Sequence, residues 1–332
     1  MNRRGFLRVA SVVAAVARVM VPSRSVAAEP PPETTRIRIP RIASTCRSPE
    51  WLAEELLRTE GFTDVQYLPV DGTLGVERAL ASGEADLGGH FAAPVILRLE
   101  AGDPIVIVGG EHVGCFELLG TARIRTIRDL KGATVAVPAL HPSPHAFLAS
   151  MIASVGLDPA KDVNWVKYPP AESMRLLAKE KIDAFLGFPP VPQEFRAMGI
   201  GRVVVNSATD RPWSQYFCCM LVGNRQFVRK HPVAMKRALR AILKSADVCA
   251  VEPERVARFL VDRKYAADYG YALASVKSLP YGRWREYDAE DTVRFWSLRL
   301  REAGMLKASP QKILGDGTDW RFLSELRKEL KG

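Results

Sequence analysis

The sequence predicts an α/β protein of two similar lobes, each an open, mostly parallel sheet flanked by helices, with a ligand cleft between them. Three observations carry this. Short apolar segments of strand length alternate with segments of helical periodicity through two thirds of the chain, the pattern of sheets covered by helices. The stretch "LASGEADLGG" (80–89) returns as "LAKEKIDAFLG" (177–187), with Asp86 and Asp183 standing 97 residues apart. Upstream, "IRIP" (37–40) parallels "VAVP" (135–138) at an offset of 98, and "RTEGF" before Thr63 parallels "ASVGL" before Asp158. Three matches in one order, occurring twice, indicate two related lobes and not a solenoid of small units. A chain of 332 residues is long enough to hold both.

The elements follow in order. "EPPPETT" (29–35) reads as a stiff polar linker with no core residues. "RIRIPRI" alternates as a strand does. "SPEWLAEELLRTEG" (48–61) reads as one helix, with Ser48 as its cap, Pro49 in the first turn, Trp51, Leu52 and Leu56 at helical spacing, and Gly61 as its stop. "VQYLPV" is a strand, "TLGVERALASGE" a helix and "ADLGG" a short buried strand. "PVILRLEAG" is a helix and "PIVIVGG" a buried strand. "TIRDLKGATVAVP" opens the second copy, and "SPHAFLASMIASVG" is its first long helix, again with Ser and Pro at the start. "VNWVKYP", "DAFLGF" and "RVVVNS" are strands, with the helix "AESMRLLAKEK" among them, and "YFCCMLV" brings the chain back. From "HPVAMKRALRAILKSADVCAVEP" onward the periodicity is helical. These boundaries place a first lobe at 36–122 and 223–332 and an inserted second lobe at 123–222.

Two crossings between open sheets imply a cleft. Ligands of such sheets sit beyond the strands' carboxyl ends, where helix starts point free N–H groups. The loops "ASTCRS" (43–48) and "ALHPSPH" (139–145) supply one such start from each side.

Composition narrows the function. Hydrophobic residues at 47% with charged residues at 25% are those of a soluble globular chain. The formal charge is +10, but Arg3, Arg4, Arg8, Arg18 and Arg24 precede any acid, and removing 1–28 leaves +5. No basic run is interleaved with aromatics, which argues against nucleic acid. The segment 1–28 resembles a twin-arginine export leader, with a basic start, a modest apolar core and small residues at Val26 and Ala28 before Glu29. Its apolar run is short and carries Arg18, which disfavours a membrane anchor. A soluble periplasmic protein, cleaved after Ala28, is expected. Five cysteines leave at least one unpaired, and adjacent Cys218 and Cys219 face opposite sides of a strand. No Cys/His group has local metal-ligand spacing, so no metal or cofactor is expected.

"IRDLKGATVAVP", "RALASGEADLGG", "LLAKEKIDAFL" and "NRQFVRKHPVAMKRALRAIL", together with the leader, resemble the periplasmic solute-binding proteins of ABC importers, in the nitrate/sulfonate/taurine group that shares its fold with thiamine-pyrimidine-precursor proteins. The resemblance covers about Arg36 to Leu330. It implies a two-lobed type II periplasmic binding protein fold, hinge closure on a small-molecule ligand and delivery by a monomer to an ABC permease. It implies ligand contacts at Ser44, Thr45, Cys46 and Arg47 after the first strand and at Gly89, His90 and Phe91 after "DLGG". It adds Glu111, His112 and Cys115 on the hinge side, and His141, Ser143 and Phe188 in the second lobe. "GFPPVP" departs from the acidic residue that the family often has after that last strand.

Each reading has a plainer alternative. Arg47 suits a bidentate clamp on a sulfonate or carboxylate, or a solvated surface site. His90, His112, His141 and His145 all fall in cleft loops, where histidine binds anions or stacks on rings. Phe91 and Phe188 suit ring stacking or core packing. Cys115 reads as a buried hinge residue and not a nucleophile. "YFCCML" has two cysteines where the pyrimidine synthases of this fold have "CCCFC", so no catalysis is expected. The first expectation for the ligand is a small organic anion. The alternatives are a thiamine-pyrimidine-like heteroaromatic, an enzyme on the same fold, or a protein presenting its ligand to a membrane receptor.

Overall fold

The structure, a computed structural model, describes residues 29–140 and 144–331. The expected leader and its cleavage site lie outside the described residues, as do His141 and Ser143. The segment from Pro31 onward forms one unit. Its ten strands are β1 (Arg36–Arg41), β2 (Asp64–Pro69), β3 (Leu87–Phe91), β4 (Ile105–Val113), β5 (Glu117–Gly120), β6 (Thr134–Val137), β7 (Asn164–Lys167), β8 (Ala184–Gly187), β9 (Arg202–Asn206) and β10 (Phe217–Asn224).

The repeat in the sequence is a repeat in the fold. One sheet runs β7-β6-β8-β5-β9 and another β3-β10-β4, while β1 and β2 form a parallel pair. The Asp86 N–H donates to the Arg38 carbonyl at 2.9 Å, which sets β1 beside β3. The orders β2-β1-β3-β10-β4 and β7-β6-β8-β5-β9 therefore match strand for strand.

The two aspartates of the repeated stretch do the same job twice. An Asp86 carboxylate oxygen accepts the Arg38 backbone N–H at 2.8 Å, and an Asp183 oxygen accepts that of Thr134 at 2.7 Å. Behind each, the aspartate carbonyl accepts an N–H at the end of the crossing strand, from Asn224, the last residue of β10, in one copy and from Thr121, one past β5, in the other, both at 2.9 Å. Each carboxylate also holds an arginine, Arg38 or Arg123. A short acidic side chain at this point joins three strands that have no ladder bond left to offer.

The sheets are mixed, with parallel strands on one side and a strand that runs against them in each. β1–β2, β6–β7 and β6–β8 are parallel, whereas β10 runs against β3 and β4, and β5 against β8 and β9. The antiparallel strands are those by which the chain changes sheets. β5 already pairs within the second sheet and β10 within the first. The changeovers thus fall at 114–116 and 207–216, not at 122 and 222.

Two other local expectations shift. The helix expected over 48–61 breaks into a 3-10 turn at Thr45–Arg47, a helix at Ser48–Leu52 and another at Glu54–Thr59. Ser48 caps nothing. Its hydroxyl is buried and donates to the Thr45 carbonyl at 2.6 Å, inside the turn. The linker is also less free than its composition implies. Both Glu33 carboxylate oxygens accept backbone N–H groups, from Val233 and Ala234, at 3.0 and 2.9 Å. These open the 20-residue helix Pro232–Val251, whose buried Met235, Leu239, Ile242 and Ala246 recur at helical spacing. Among the described residues, no helix is long and apolar enough to cross a membrane.

Candidate functional site

The ends of β1, β3 and β8 meet. Phe91, at the end of β3, lies 5.4 Å from Phe188, just past β8. These are corresponding places in the two repeats. The Ser44 hydroxyl, past β1, donates to the Pro189 carbonyl at 3.2 Å. Phe116 joins the ring group at 4.5 Å from Phe91 and 6.0 Å from Phe188, and Phe147 stands 4.5 Å from Phe116. The two faces of the expected cleft thus touch through aromatic rings and through polar contacts, among them Gln193 Nε2 donating to the Ser278 hydroxyl at 3.4 Å.

Behind this contact lies a buried polar group that the sequence did not announce. Arg47 is 3% exposed, and its Nε donates to Glu50 Oε1 at 2.6 Å. Glu50 Oε2 also accepts the Gly89 N–H at 3.0 Å. The anion expected at this helix start is therefore the chain's own carboxylate. Gly89 has to be glycine, since a β-carbon there would come within 2.8 Å of both Glu50 and Glu111 oxygens. Burial works against the Arg47 charge, but Glu50 and then Glu111 more than offset it and hold the guanidinium protonated. Burial first, and Glu50 second, push the Glu111 carboxyl well above the usual range against the pull of Arg47. Neither Glu111 oxygen has a hydrogen-bond partner, and the side chain is fully buried.

His90 is likewise engaged by the fold. Its Nδ1 accepts the Phe91 N–H at 2.7 Å, which leaves Nε2 to donate to Glu77 Oε1 at 3.1 Å. This corrects the expectation that it faces a ligand, because Glu77 lies on the helix Gly72–Ser82 behind the sheet. Thr45 is buried with its hydroxyl unpartnered, and the Tyr281 hydroxyl donates to the Cys46 carbonyl at 3.1 Å. His145 stacks edge-on against Trp165, at 4.6 Å, and both line a hollow of about 610 Å³ with Leu97, Leu140 and Ala149. Among the described residues, none of the ligand contacts expected from the resemblance lines that hollow.

The cysteines converge. The sulfurs of Cys46, Cys115 and Cys219 all lie within 4.8 Å of one another, and the Cys219 sulfur lies equally near a Glu111 oxygen and a His112 nitrogen. Cys115 Sγ is 2.8 Å from Cys218 Sγ, and all five cysteines are free thiols. Burial opposes a thiolate at Cys219, but contacts from Cys115, Cys218 and Cys46 and the His112 ring together pull this thiol well below its usual range. Burial also opposes a charged His112, yet Cys219 raises it well above the ordinary histidine value. Each of the two thus favours the charged form of the other. These side chains come from three separate segments, the turn after β1, the end of β4 with the crossing that follows it, and β10, so local spacing gives no sign of the cluster.

Of the expected contacts, Ser44, Thr45, Cys46, Arg47, Gly89, Phe91, Glu111, His112, Cys115 and Phe188 come together around these strand ends. Sequence reading missed Glu50, Phe116 and Phe147, and it read Cys219 only as a buried strand residue. For Glu50 a signal was present, since it stands three residues after Arg47 on one helical face.

The nitrate import ATP-binding protein NrtC of Synechocystis is 23% identical over 241 residues, which is 70% of this chain but 32% of that one. The taurine-binding periplasmic protein of Escherichia coli is 23% identical over 215 residues, 62% of this chain and 66% of that one. The chain thus spans about a third and just under two thirds of these two relatives' lengths. The crystal structure of the periplasmic nitrate-binding protein NrtA from Synechocystis superposes with a TM-score of 0.75, covering 90% of each chain at 17% identity, so the two-lobed fold is shared. A family profile described as NMT1/THI5 like matches residues 58–256, more than half of the sequence. The chain belongs to the NMT1/THI5-like family.

Proposed function

We propose that this chain is the periplasmic solute-binding component of an ABC importer. It is exported, loses its leader after Ala28, and works as a monomer. It takes up a small solute between its two sheets, closes on it, and hands it to a membrane permease without chemically altering it. The observation that carries this is the meeting of matched strand ends, Phe91 against Phe188. In this fold a ligand belongs beyond the carboxyl ends of the strands. The relatives whose names carry nitrate or taurine binding support the transport reading.

For the ligand, the geometry favours a flat, neutral ring compound over the small anion expected first. The surfaces that meet are Phe91, Phe116, Phe147 and Phe188. The side chains that would hold an anion are already engaged, Arg47 by Glu50 and His90 by Glu77. An anion would also enter beside two buried carboxyl groups. The relatives' names favour the anion, which is the second reading.

A thermal-shift screen of purified residues 29–332 separates the two. A ligand at a hundred times its dissociation constant adds about 2.7 kcal/mol, enough to raise the midpoint by a few degrees. Pyrimidines and related rings are expected to raise it, and Phe188→Ala to abolish that rise. A rise with nitrate or sulfonates but not with rings would install the anion reading. Silence across both panels would count against a small-solute cleft.

A further inference from the structure

We infer that Cys46, Cys115, Cys219 and His112 form a buried site for one thiophilic, closed-shell cation, of the zinc(II) or copper(I) class. This goes beyond the solute-binding reading and does not depend on it. Three sulfurs within 4.8 Å of one another, with an imidazole nitrogen within the same distance of the Cys219 sulfur, are the donor set of a tetrahedral site with three thiolates and one imidazole. Donors about 2.3 Å from a tetrahedral metal stand roughly 3.8 Å apart, so the three sulfurs would draw in from a spacing of up to 4.8 Å and the His112 ring would turn from Cys219 toward Cys46 and Cys115.

Four further observations point to a ligand. His112 Nε2 is fully buried and has no hydrogen-bond partner. Its Nδ1 lies 3.2 Å from the Val113 carbonyl, a contact that fixes the ring with Nε2 turned the other way, as ligating histidines are commonly held. Both oxygens of Glu111, within reach of the Cys219 sulfur, are equally unpartnered. Cys115 is held at φ 137°, a backbone region that favours glycine. A side chain kept at such a cost, on the order of 1–3 kcal/mol, marks a position with a task. Sulfur and imidazole donors select soft cations over calcium or magnesium, and removal from water leaves no open coordination position. The site is a closed one, suited to fixing the crossing at 114–116 to β1 and β10. Binding releases three protons, one each from Cys46 and Cys115 and one from the Cys219–His112 pair, and no electrons are exchanged.

The competing fate of these thiols is oxidation. Cys115 and Cys218, with sulfurs 2.8 Å apart, would form a disulfide and remove one donor. The experiment uses the purified protein under reducing conditions. It is titrated with cobalt(II), with zinc(II) against a chromogenic chelator, and with copper(I) against a copper(I)-specific chelator. One equivalent of cobalt is expected to give sulfur-to-cobalt charge transfer and tetrahedral ligand-field bands. Zinc or copper(I) should displace it, and the member retained in metal analysis of the isolated protein identifies the cation. Cys219→Ala and Cys46→Ala should each weaken binding at least 100-fold, and Cys249→Ala, outside the cluster, should leave it within threefold. If either cluster variant does not fold, the wild-type cobalt spectrum and the Cys249→Ala comparison still decide. The inference is overturned if no cobalt charge-transfer band appears, if Cys249→Ala weakens binding as much as Cys219→Ala, or if the isolated protein carries a Cys115–Cys218 disulfide and takes up no metal after reduction.

Discussion

Replacing Arg47 by methionine separates service to the fold from service to a ligand. Methionine keeps the length and apolar stem of the side chain and removes only the charge and its donors. In the wild type, Arg47 is 3% exposed and Glu50 is fully buried, with Nε–Oε1 at 2.6 Å. Without the guanidinium, Glu50 keeps a single backbone donor, Gly89, and faces the unpartnered Glu111. Removing one member of a buried pair costs about 3–5 kcal/mol, because the other charge stays out of water without compensation. Adding Glu50→Gln to Arg47→Met removes that orphan, so the double variant should recover roughly 2 kcal/mol relative to the sum of the singles. Urea unfolding reads this as a change in midpoint at constant slope. Binding is measured on the double variant, where the fold is least disturbed. A ring ligand should bind within threefold of wild type. Two results refute the argument: a cost for Arg47→Met below about 1 kcal/mol, the value of an exposed pair, or a double variant whose cost equals the sum of the singles.

Two other predictions follow from the same hydrogen-bond geometry. Asp86→Ala should cost about 2–4 kcal/mol and Asp183→Ala about 1–2, because the Asp86 carboxylate is 4% exposed against 16% for Asp183, and their arginine partners 25% against 58%; unfolding of each variant and of the double tests both the order and the additivity expected of distant sites. Glu33→Gln should cost about 1 kcal/mol at neutral pH, since a carboxylate at a helix start is worth that much. Burial alone would raise the Glu33 value, but the Val233 and Ala234 N–H groups bring it below the ordinary one. Its contribution is therefore present above the unfolded carboxyl value near pH 4.3 and lost as pH falls through the lower, folded one. The difference between wild type and Glu33→Gln should vanish in acid, and a difference that persists there would refute the charge argument.

The fold was legible because it rests on periodicity and repetition. Alternating apolar residues named the strands, and Asp86 with Asp183 named the repeat, although their work as strand pins shows only in three dimensions. The lobe limits were misplaced because β5 and β10 each carry the pattern of a buried strand wherever they pair, and periodicity does not say in which sheet a strand lies. The helix at 48–61 was misread because its cap signal, Ser before Pro, is local, while the break at Ala53 and the turn at Thr45–Arg47 come from packing the buried Arg47–Glu50 pair. The candidate residues expected around the strand ends carry contacts that their positions in sequence do not announce. Arg47 and His90 looked free because their partners, Glu50 and Glu77, are carboxylates of an abundant type. Local spacing could not reveal the cysteine cluster, since its members come from the turn after β1, the crossing after β4 and the middle of β10.

The same contacts that hide the cleft set the terms on which a solute enters it. Phe91 on Phe188 and Ser44 on the Pro189 carbonyl hold the two sheets together without any guest. A ligand that needs the open arrangement has its affinity reduced by the fraction of molecules that are open, whatever its own contacts. A flat ring slipped between Phe91 and Phe188 replaces one ring contact by two and lets the sheets close again. A compact anion gains no such replacement, and it has first to draw Arg47 away from Glu50. Each repeat therefore contributes an aromatic residue at its strand end, while Arg47 and His90 stay engaged with Glu50 and Glu77. That division of labour is why the aromatic face, and not the buried arginine, is where the specificity of this protein should be sought.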